Sequence, residues 1–314
     1  MTLQQLMYVV AVAKHRNFSV AAEKCFVTQP TLSMQIQKLE DELGMEIFDR
    51  RHTPIEVTAQ GRAIVQQAQA VLAEADRLKA LAKEEIDQVA PEIRVGVIPT
   101  LGSSLIPRLV SGMKHEFPDT RLIIEERQTR DVITSLKAGE LDLGLVVTPL
   151  DDDSLIAEPL FLEAFYLYIH DQHPLAQKKS IDRQQLQLRE LWLLSEGHCF
   201  REQAMSLCSD RKRVQDDQRP LFESGSLETL RKMVDQTGGY TLLPELSIED
   251  LPSASRKNIR SITAPAPARE VSLVHHQTYR RRATIDAVSR AIVRSLPSHL
   301  VEGRKLKKIN LPLS

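Results

Sequence analysis

Cysteine is scarce in this sequence, with 3 in 314 residues. So few exclude a disulfide-held scaffold, and a reducing compartment would keep them as thiols unless an oxidant intervened. Long apolar runs are missing too: no stretch approaches the roughly 20 apolar residues that a membrane span needs. The opening "MTLQQLMYVVAVAKHRNF" has no basic start, continuous apolar stretch or small-residue cleavage site, so neither a signal peptide nor a membrane partner is expected. A cytoplasmic location is the expectation that follows. Positive charge is not in excess either. With a formal net charge of -1, a generally basic nucleic-acid coat is excluded, and any DNA binding must come from local placement of cations. What is present is 42% hydrophobic and 26% charged residues, enough for two or three domains with real cores.

Residues 1–58 read as a small helical domain. Leu3, Leu6, Met7, Val10 and Ala13 recur at spacings of three and four, which marks an amphipathic first helix. A second helix opens with Asn17 and Ser19 as capping candidates, runs through Ala21 and Ala22 and turns near Val27. Thr28 can cap a third helix with Pro30 in its first turn. Leu32, Ile36 and Leu39 face inward there, leaving Gln29, Thr31, Ser33 and Gln35 on other faces. This is a helix-turn-helix with short polar side chains where base edges and phosphates would be met, although a helical hairpin with an ordinary solvated face has the same pattern. "FDRRHTPIEVTAQG" then alternates as strands do and places Arg50, Arg51 and His52 near a turn. That makes a wing whose arginines could clamp phosphates or enter a minor groove. Cys25, on the second helix beside Phe26, reads as a small buried core thiol.

The stretch "FSVAAEKCFVTQPTLSMQIQKLEDELGMEIFDRRHTPIEVTAQG" resembles the winged helix-turn-helix of LysR-type transcriptional regulators. The likeness runs through the small-residue second helix, the "TQPTLS" helix start, the "LEDELG" exit, the "FDR" wing and the "TAQG" entry to the next helix. It implies DNA contact by Gln29, Pro30, Thr31, Ser33 and Gln35, with Arg50 and Arg51 on the wing. Position 34 departs from the commonest pattern, with Met34 where many members carry arginine, and this bears on which bases are read.

From Ala59 to about Gln88 there is no proline. Ile64, Ala68, Val71, Ala75, Leu78 and Ala82 form a seam of spacings four and three, as in a coiled coil. A single helix packed on its own domain is the plainer alternative. A dimer through this linker, residues 59–90, would present two recognition helices to a two-fold DNA site. Pro91 ends the connector.

Residues 91–314 alternate β-rich runs ("EIRVGVI", "RLIIEER", "DLGLVV") with helical patterns ("SSLIPRLVSGMKHEF", "RDVITSLKAGE"), which predicts a parallel sheet wrapped by helices. A second set follows: "AFYLYIH" as a strand, a helix over 198–210, "SLETLRKMVDQ" as a helix and "GYTLLP" as a strand. The closing "REVSLVHH" and "YRRRATIDAVSRAIVRSL" would let the chain cross back to the first set, as in the periplasmic-binding-protein-like effector domains that LysR-type regulators resemble here. The expected class is therefore α/β with an N-terminal all-α winged helix-turn-helix, joined by a long linker helix to a two-lobed periplasmic-binding-protein-like regulatory domain. The crevice between such lobes receives a ligand near strand ends. Thr100, Ser103 and Thr129 lie at such ends, where N-capping is the alternative role.

"EGHCFREQAMSLC", residues 196–208, holds the other two cysteines. As ordinary core thiols they would be buried. As metal ligands, His198, Cys199 and Cys208 lack a CxxC-type pairing and a fourth ligand at a familiar spacing, so neither metal nor cofactor is expected. As a redox pair they have support nearby: Cys199 falls near a helix start, with His198 beside it and Arg201 two residues on, and each would favour the thiolate that peroxide attacks. If the segment is helical, nine steps of about 1.5 Å separate the two Cα atoms by roughly 13–14 Å. A disulfide tolerates about 4.4–6.8 Å, so joining them requires the helix to unwind and repack Phe200, Met205 and Leu207.

"GHCFREQAMSLC", with "IPT", "RQT" and "SLETLRKMV", is similar to the peroxide-sensing members of the LysR family, a likeness running from the first residue to about residue 295. It implies that Cys199 is the peroxidatic cysteine and Cys208 the resolving one. Thr100, Thr129 and His198 would hold peroxide or its waters, and Arg269, opening "REVSLV", would support the pocket. After Cys208 the stretch "SDRKRVQDDQRP" is this chain's own. The implied partners are a double-stranded DNA operator, hydrogen peroxide as signal, a thiol reductant, RNA polymerase and further copies of the chain, a dimer through the linker helix and a tetramer overall. Two competing functions are a metabolite-responsive LysR-type regulator with incidental cysteines and a thiol-dependent peroxidase. The winged domain and linker have no use in the latter, so no enzyme is expected.

Overall fold

The computed structural model describes residues 1–52, 54–82, 88–208, 226–301 and 306–309. Their contacts divide the chain into two compact units, residues 1–86 with 134–140, and residues 87–133 with 141–314.

In the first unit, α1 (Leu3–His15) starts from a capping box in which Thr2 and Gln5 satisfy each other's backbone N–H groups. Its buried face is Gln5, Leu6, Tyr8, Val9 and Val12, whereas Leu3 and Met7, expected to face inward, are exposed. The reason is that two polar-tipped residues can be buried here at little cost. The Tyr8 hydroxyl accepts from Gln4 and the Gln5 amide donates to Gln35. α2 (Phe18–Lys24) is capped by Asn17, whose side chain accepts from the Ser19 and Val20 N–H groups. Cys25 follows the helix rather than lying on it and is half-buried, so its expected full burial is corrected. α3 (Gln29–Leu43) starts at the Thr28 cap, buries Leu32, Ile36, Leu39 and Glu40, and ends at Gly44. The wing is the antiparallel pair β1 (Phe48–Asp49) and β2 (Glu56–Val57).

α4 (Gly61–Ala82) begins where the Thr58 hydroxyl accepts from the Gly61 N–H. Only glycine fits at 61: a Cβ there would lie 2.3 Å from the Ile47 carbonyl oxygen. Along α4, Ile64, Ala68 and Val71 pack into the core formed with α1, α2 and α3. The N-terminal half of the expected coiled-coil seam is thus used within the chain, as in the single-helix alternative, while Leu78 remains 69% exposed. The expected continuation through 83–87 lies outside the described residues.

From residue 92 on, β3 (Glu92–Val97), α5 (Pro99–Glu116), β4 (Arg121–Glu126), α6 (Thr129–Ala138) and β5 (Leu143–Thr148) follow one another, and the three strands, all of the second unit, are parallel in the order β4-β3-β5. β6 (Leu155–Ile169) is far longer than the "AFYLYIH" stretch suggested. Its first part pairs antiparallel with β11 (Ala266–His276), and its last residues pair with β9 (Tyr240–Pro244) and β10 (Ile259–Ile262). β11 is also antiparallel to β5. The sheet is therefore mixed rather than parallel throughout, because the chain crosses between lobes twice, out on β6 and back on β11.

The second lobe adds β7 (Ser180–Ile181), β8 (Leu191–Trp192), α7 (Cys199–Leu207), α8 (Leu227–Thr237), α9 (Glu245–Glu249) and α10 (Ser253–Arg256) around an apolar core that includes Phe165, Tyr168, Trp192, Phe200, Leu207 and Tyr240. After the return, α11 (Arg282–Ser295) packs on α5, followed by α12 (Ser298–Val301) and β12 (Leu306–Lys308), which pairs with β11. Among the described residues, no helix is long and apolar enough to cross a membrane.

Candidate functional site

The two crossing strands place a charged pair at the junction of the lobes. Arg269 on β11 stands opposite Glu163 on β6 in the register, and both side chains are 0% exposed. Arg269 Nε and Nη2 lie 2.8 and 2.7 Å from Glu163 Oε1, Nη1 donates to Thr100 Oγ1 at 2.9 Å and Nη2 to the Thr100 carbonyl at 3.1 Å. The Leu246 N–H donates to the other carboxylate oxygen. A buried ion pair survives only when its remaining hydrogen-bonding capacity is met, as it is here. Thr100 is inside the first turn of α5, whose N-cap is Ile98, so the capping role is corrected: its hydroxyl holds Arg269 instead. Ser103 is exposed on the same helix.

Cys199 is the first residue of α7 and is buried. The Thr129 hydroxyl, at the first position of α6, and the backbone N–H groups of Cys199 and Phe200 act on its thiol to lower its pKa, and Arg269 supplies a nearby positive charge. These groups favour thiolate, yet burial outweighs them and pushes the Cys199 thiol above its ordinary value. The sequence-based expectation of a thiolate promoted by His198 and Arg201 is thereby corrected. Burial lowers the His198 pKa, which keeps the imidazole neutral, and Arg201 is committed to the Leu194 carbonyl at 2.7 Å. Gly197, at φ +88°, sets up this turn; a Cβ there would lie 2.4 Å from Gln128 Oε1.

At the other end of α7, Cys208 lies in the apolar core of the second lobe. Burial raises its thiol to about 11, opposed in part by Arg183. Both cysteines are free thiols, separated by the length of a continuous helix, so the nine-step estimate of roughly 13–14 Å applies. The Phe200 ring pins α7, lying 5.4 Å from the Phe165 ring and 5.3 Å from the Arg269 guanidinium. The segment after Cys208 lies outside the described residues. Among the described residues, no group of His, Cys, Asp or Glu could hold a metal ion.

On α3, Gln29, Pro30 and Thr31 are exposed. Ser33 and Gln35 are half-buried: Ser33 accepts from Arg50 at 3.4 Å, and the Gln35 side chain accepts from Gln5 of α1. Arg50 is paired with the buried Glu40 at 2.8 Å and lies over the Phe18 ring, while Glu40 also accepts from the Ile47 and Phe48 N–H groups. Arg51 forms a two-pronged pair with Asp49. The wing cations thus sit at the expected edge, each with a carboxylate partner.

Residues 3–62 match the family described as bacterial regulatory helix-turn-helix protein, lysR family, and residues 87–297 match the LysR substrate binding domain. The chain belongs to the LysR family. LysR relatives of full length include the hydrogen peroxide-inducible genes activator of Haemophilus influenzae, 34% identical over 97% of this chain and 100% of that protein. The Escherichia coli DNA-binding transcriptional dual regulator OxyR is 34% identical over 95% of this chain and 97% of its own. Among solved structures, a full-length Pseudomonas aeruginosa OxyR with a cysteine-to-aspartate substitution is 36% identical and superposes with a TM-score of 0.79, covering 93% of this chain and 98% of that one.

Two residues of this LysR-type site went unread in the sequence. Glu163 is one; a lone carboxylate in the apolar "FLEAFYLYIH" strand was its only signal. Gln203 is the other, one turn beyond Cys199, fully buried with neither amide atom hydrogen-bonded among the described residues.

Proposed function

We propose that this LysR-type regulator responds to hydrogen peroxide through Cys199 and Cys208. The Cys199 sulfur attacks one peroxide oxygen and the O–O bond breaks, giving Cys199 sulfenic acid and water. The Cys208 thiol then displaces the hydroxyl as a second water and closes the disulfide, so one peroxide is reduced as two thiols are oxidised. The observation that carries the reading is the setting of Cys199: a nearly water-free thiol at a helix start, with the Thr129 hydroxyl and a buried arginine acting on it. Thr100 supports that arginine, and the neutral His198 imidazole is available as a hydrogen-bonding partner for peroxide or its waters.

The chain works in the cytoplasm in three parts: residues 1–58 bind a double-stranded operator, 59–90 link and dimerise, and 91–314 sense. Gln29, Pro30, Thr31, Ser33 and Gln35 serve the base-reading helix, and Arg50 and Arg51 serve the wing. Two such dimers make a tetramer that acts with RNA polymerase, and a thiol reductant resets the switch. No catalytic turnover is involved, so the chain is not an enzyme. The test is mass-spectrometric mapping of thiols after stoichiometric peroxide, with DNA footprints of both redox forms. A 199–208 disulfide with a changed footprint supports the reading; unreacted Cys199 with a footprint that answers only to a metabolite overturns it. Multiple turnovers with a thiol reductant, unaffected by removing residues 1–58, would restore the peroxidase.

A further inference from the structure

The buried face of α3 is Leu32, Ile36, Leu39 and Glu40. At 100° per residue, Met34 lies roughly 180° from the centre of that face, at the crest of the helix. It is 63% exposed. Pro30, one turn earlier on the same crest, is exposed too, so the leading half of the outward ridge is apolar. One turn later the ridge becomes polar, but Gln37 donates to Asp41 at 3.0 Å and is committed within the helix. Around the crest stand the exposed Thr31 and Lys38. A second apolar side chain, Phe26, is 95% exposed at the turn leading into α3, in a left-handed conformation (φ 57°) that aromatic residues rarely adopt.

Isolated exposed apolar residues are ordinary on a protein surface. This one is different in place: it occupies the crest of the helix that, in a LysR-type regulator, enters the major groove. The apolar feature available in that groove is the C5-methyl of thymine, which stands out from the base-pair edges. A guanine or adenine edge offers only hydrogen-bonding groups that a thioether cannot answer, whereas a soft, unbranched methionine packs well on a methyl.

We propose that Met34 is a specificity-determining residue that reads a thymine methyl in each operator half-site, a proposal that rests on DNA binding by α3. The test uses the full chain, as wild type, Met34→Ala and Met34→Arg, to select bound duplexes from a randomised DNA library. Each thymine of the wild-type consensus is then replaced singly by deoxyuridine, which removes only the methyl, and dissociation constants are measured at one fixed salt concentration. One thymine per half-site should weaken wild-type binding by about fourfold when its methyl is removed, the worth of one buried carbon. Met34→Ala should be indifferent to that same replacement, and Met34→Arg should select guanine at or beside that position. Equal sensitivity of wild type and Met34→Ala at every thymine, or identical consensus sequences from all three proteins, would overturn the proposal while leaving DNA binding intact. Enrichment of no sequence by any of the three would overturn the DNA-binding reading and this proposal together.

Discussion

The two ends of α7 carry the same side chain in opposite surroundings. At its start Cys199 meets a threonine hydroxyl, two backbone N–H groups and a buried guanidinium. At its end Cys208 is packed among Phe200, Ala204, Leu207 and the rest of the second lobe's core, and among the described residues its sulfur has only a 3.9 Å contact to the Ala204 carbonyl. In the proposed reaction one end would stabilise developing charge and the other would withhold its thiol until the helix opens. The comparison teaches that the order of events is set by environment, since spacing alone treats the two cysteines alike. A helix that separates the thiols in the reduced form makes the second step a conformational one.

The largest effect belongs to the cysteines themselves. Cys199→Ser should abolish the peroxide response and leave reduced-state DNA binding unchanged, whereas Cys208→Ser should still accumulate sulfenic acid at Cys199, read by mass spectrometry after trapping. Next comes the ion pair behind Cys199. Arg269→Met strands a fully buried carboxylate and should cost about 3–5 kcal/mol in urea denaturation. Glu163→Gln removes the neutralising partner instead, so the Cys199 pKa should fall; a rise on thiol titration would break the contrast between the two ends.

The pH dependence follows from the raised Cys199 pKa. Below that pKa the thiolate fraction grows about tenfold per pH unit, so the rate of sulfenic acid formation in Cys208→Ser should climb steadily from pH 6 to 8. A rate flat over this range, measured by stopped flow, would mean that Cys199 is already a thiolate. Smallest is Gln203→Leu, which removes an amide with no partner among the described residues and should stabilise the reduced form by about 1–2 kcal/mol, visible as a higher urea midpoint.

The helix-turn-helix was legible because Leu32, Ile36 and Leu39 and the caps Asn17 and Thr28 are local signals. Leu3 and Met7 misled because apolar spacing alone cannot see that Gln5 and Tyr8 find partners. The linker seam was legible only as a stripe: Ile64, Ala68 and Val71 fit equally well against a second chain or against α1, and the tertiary fold turns this half of it inward. At the proposed sensing site the motifs pointed to the cysteines, Thr129 and Arg269, and the structure places Thr129 and Arg269 beside Cys199. Glu163 was not legible, because its role depends on a strand pairing 106 residues away in sequence. Likewise the net direction of the Cys199 pKa depends on burial, which no motif encodes.

The most direct test of the account is hydrogen exchange over residues 199–208 in the reduced and the peroxide-oxidised protein, with the disulfide verified by mass in the oxidised sample. If α7 must open for Cys208 to reach Cys199, amides that are protected in the reduced helix should exchange at least tenfold faster after oxidation, from Arg201 through Cys208. Equal protection in both forms, with the 199–208 disulfide present, would show that the helix never separated the two thiols and would contradict the account.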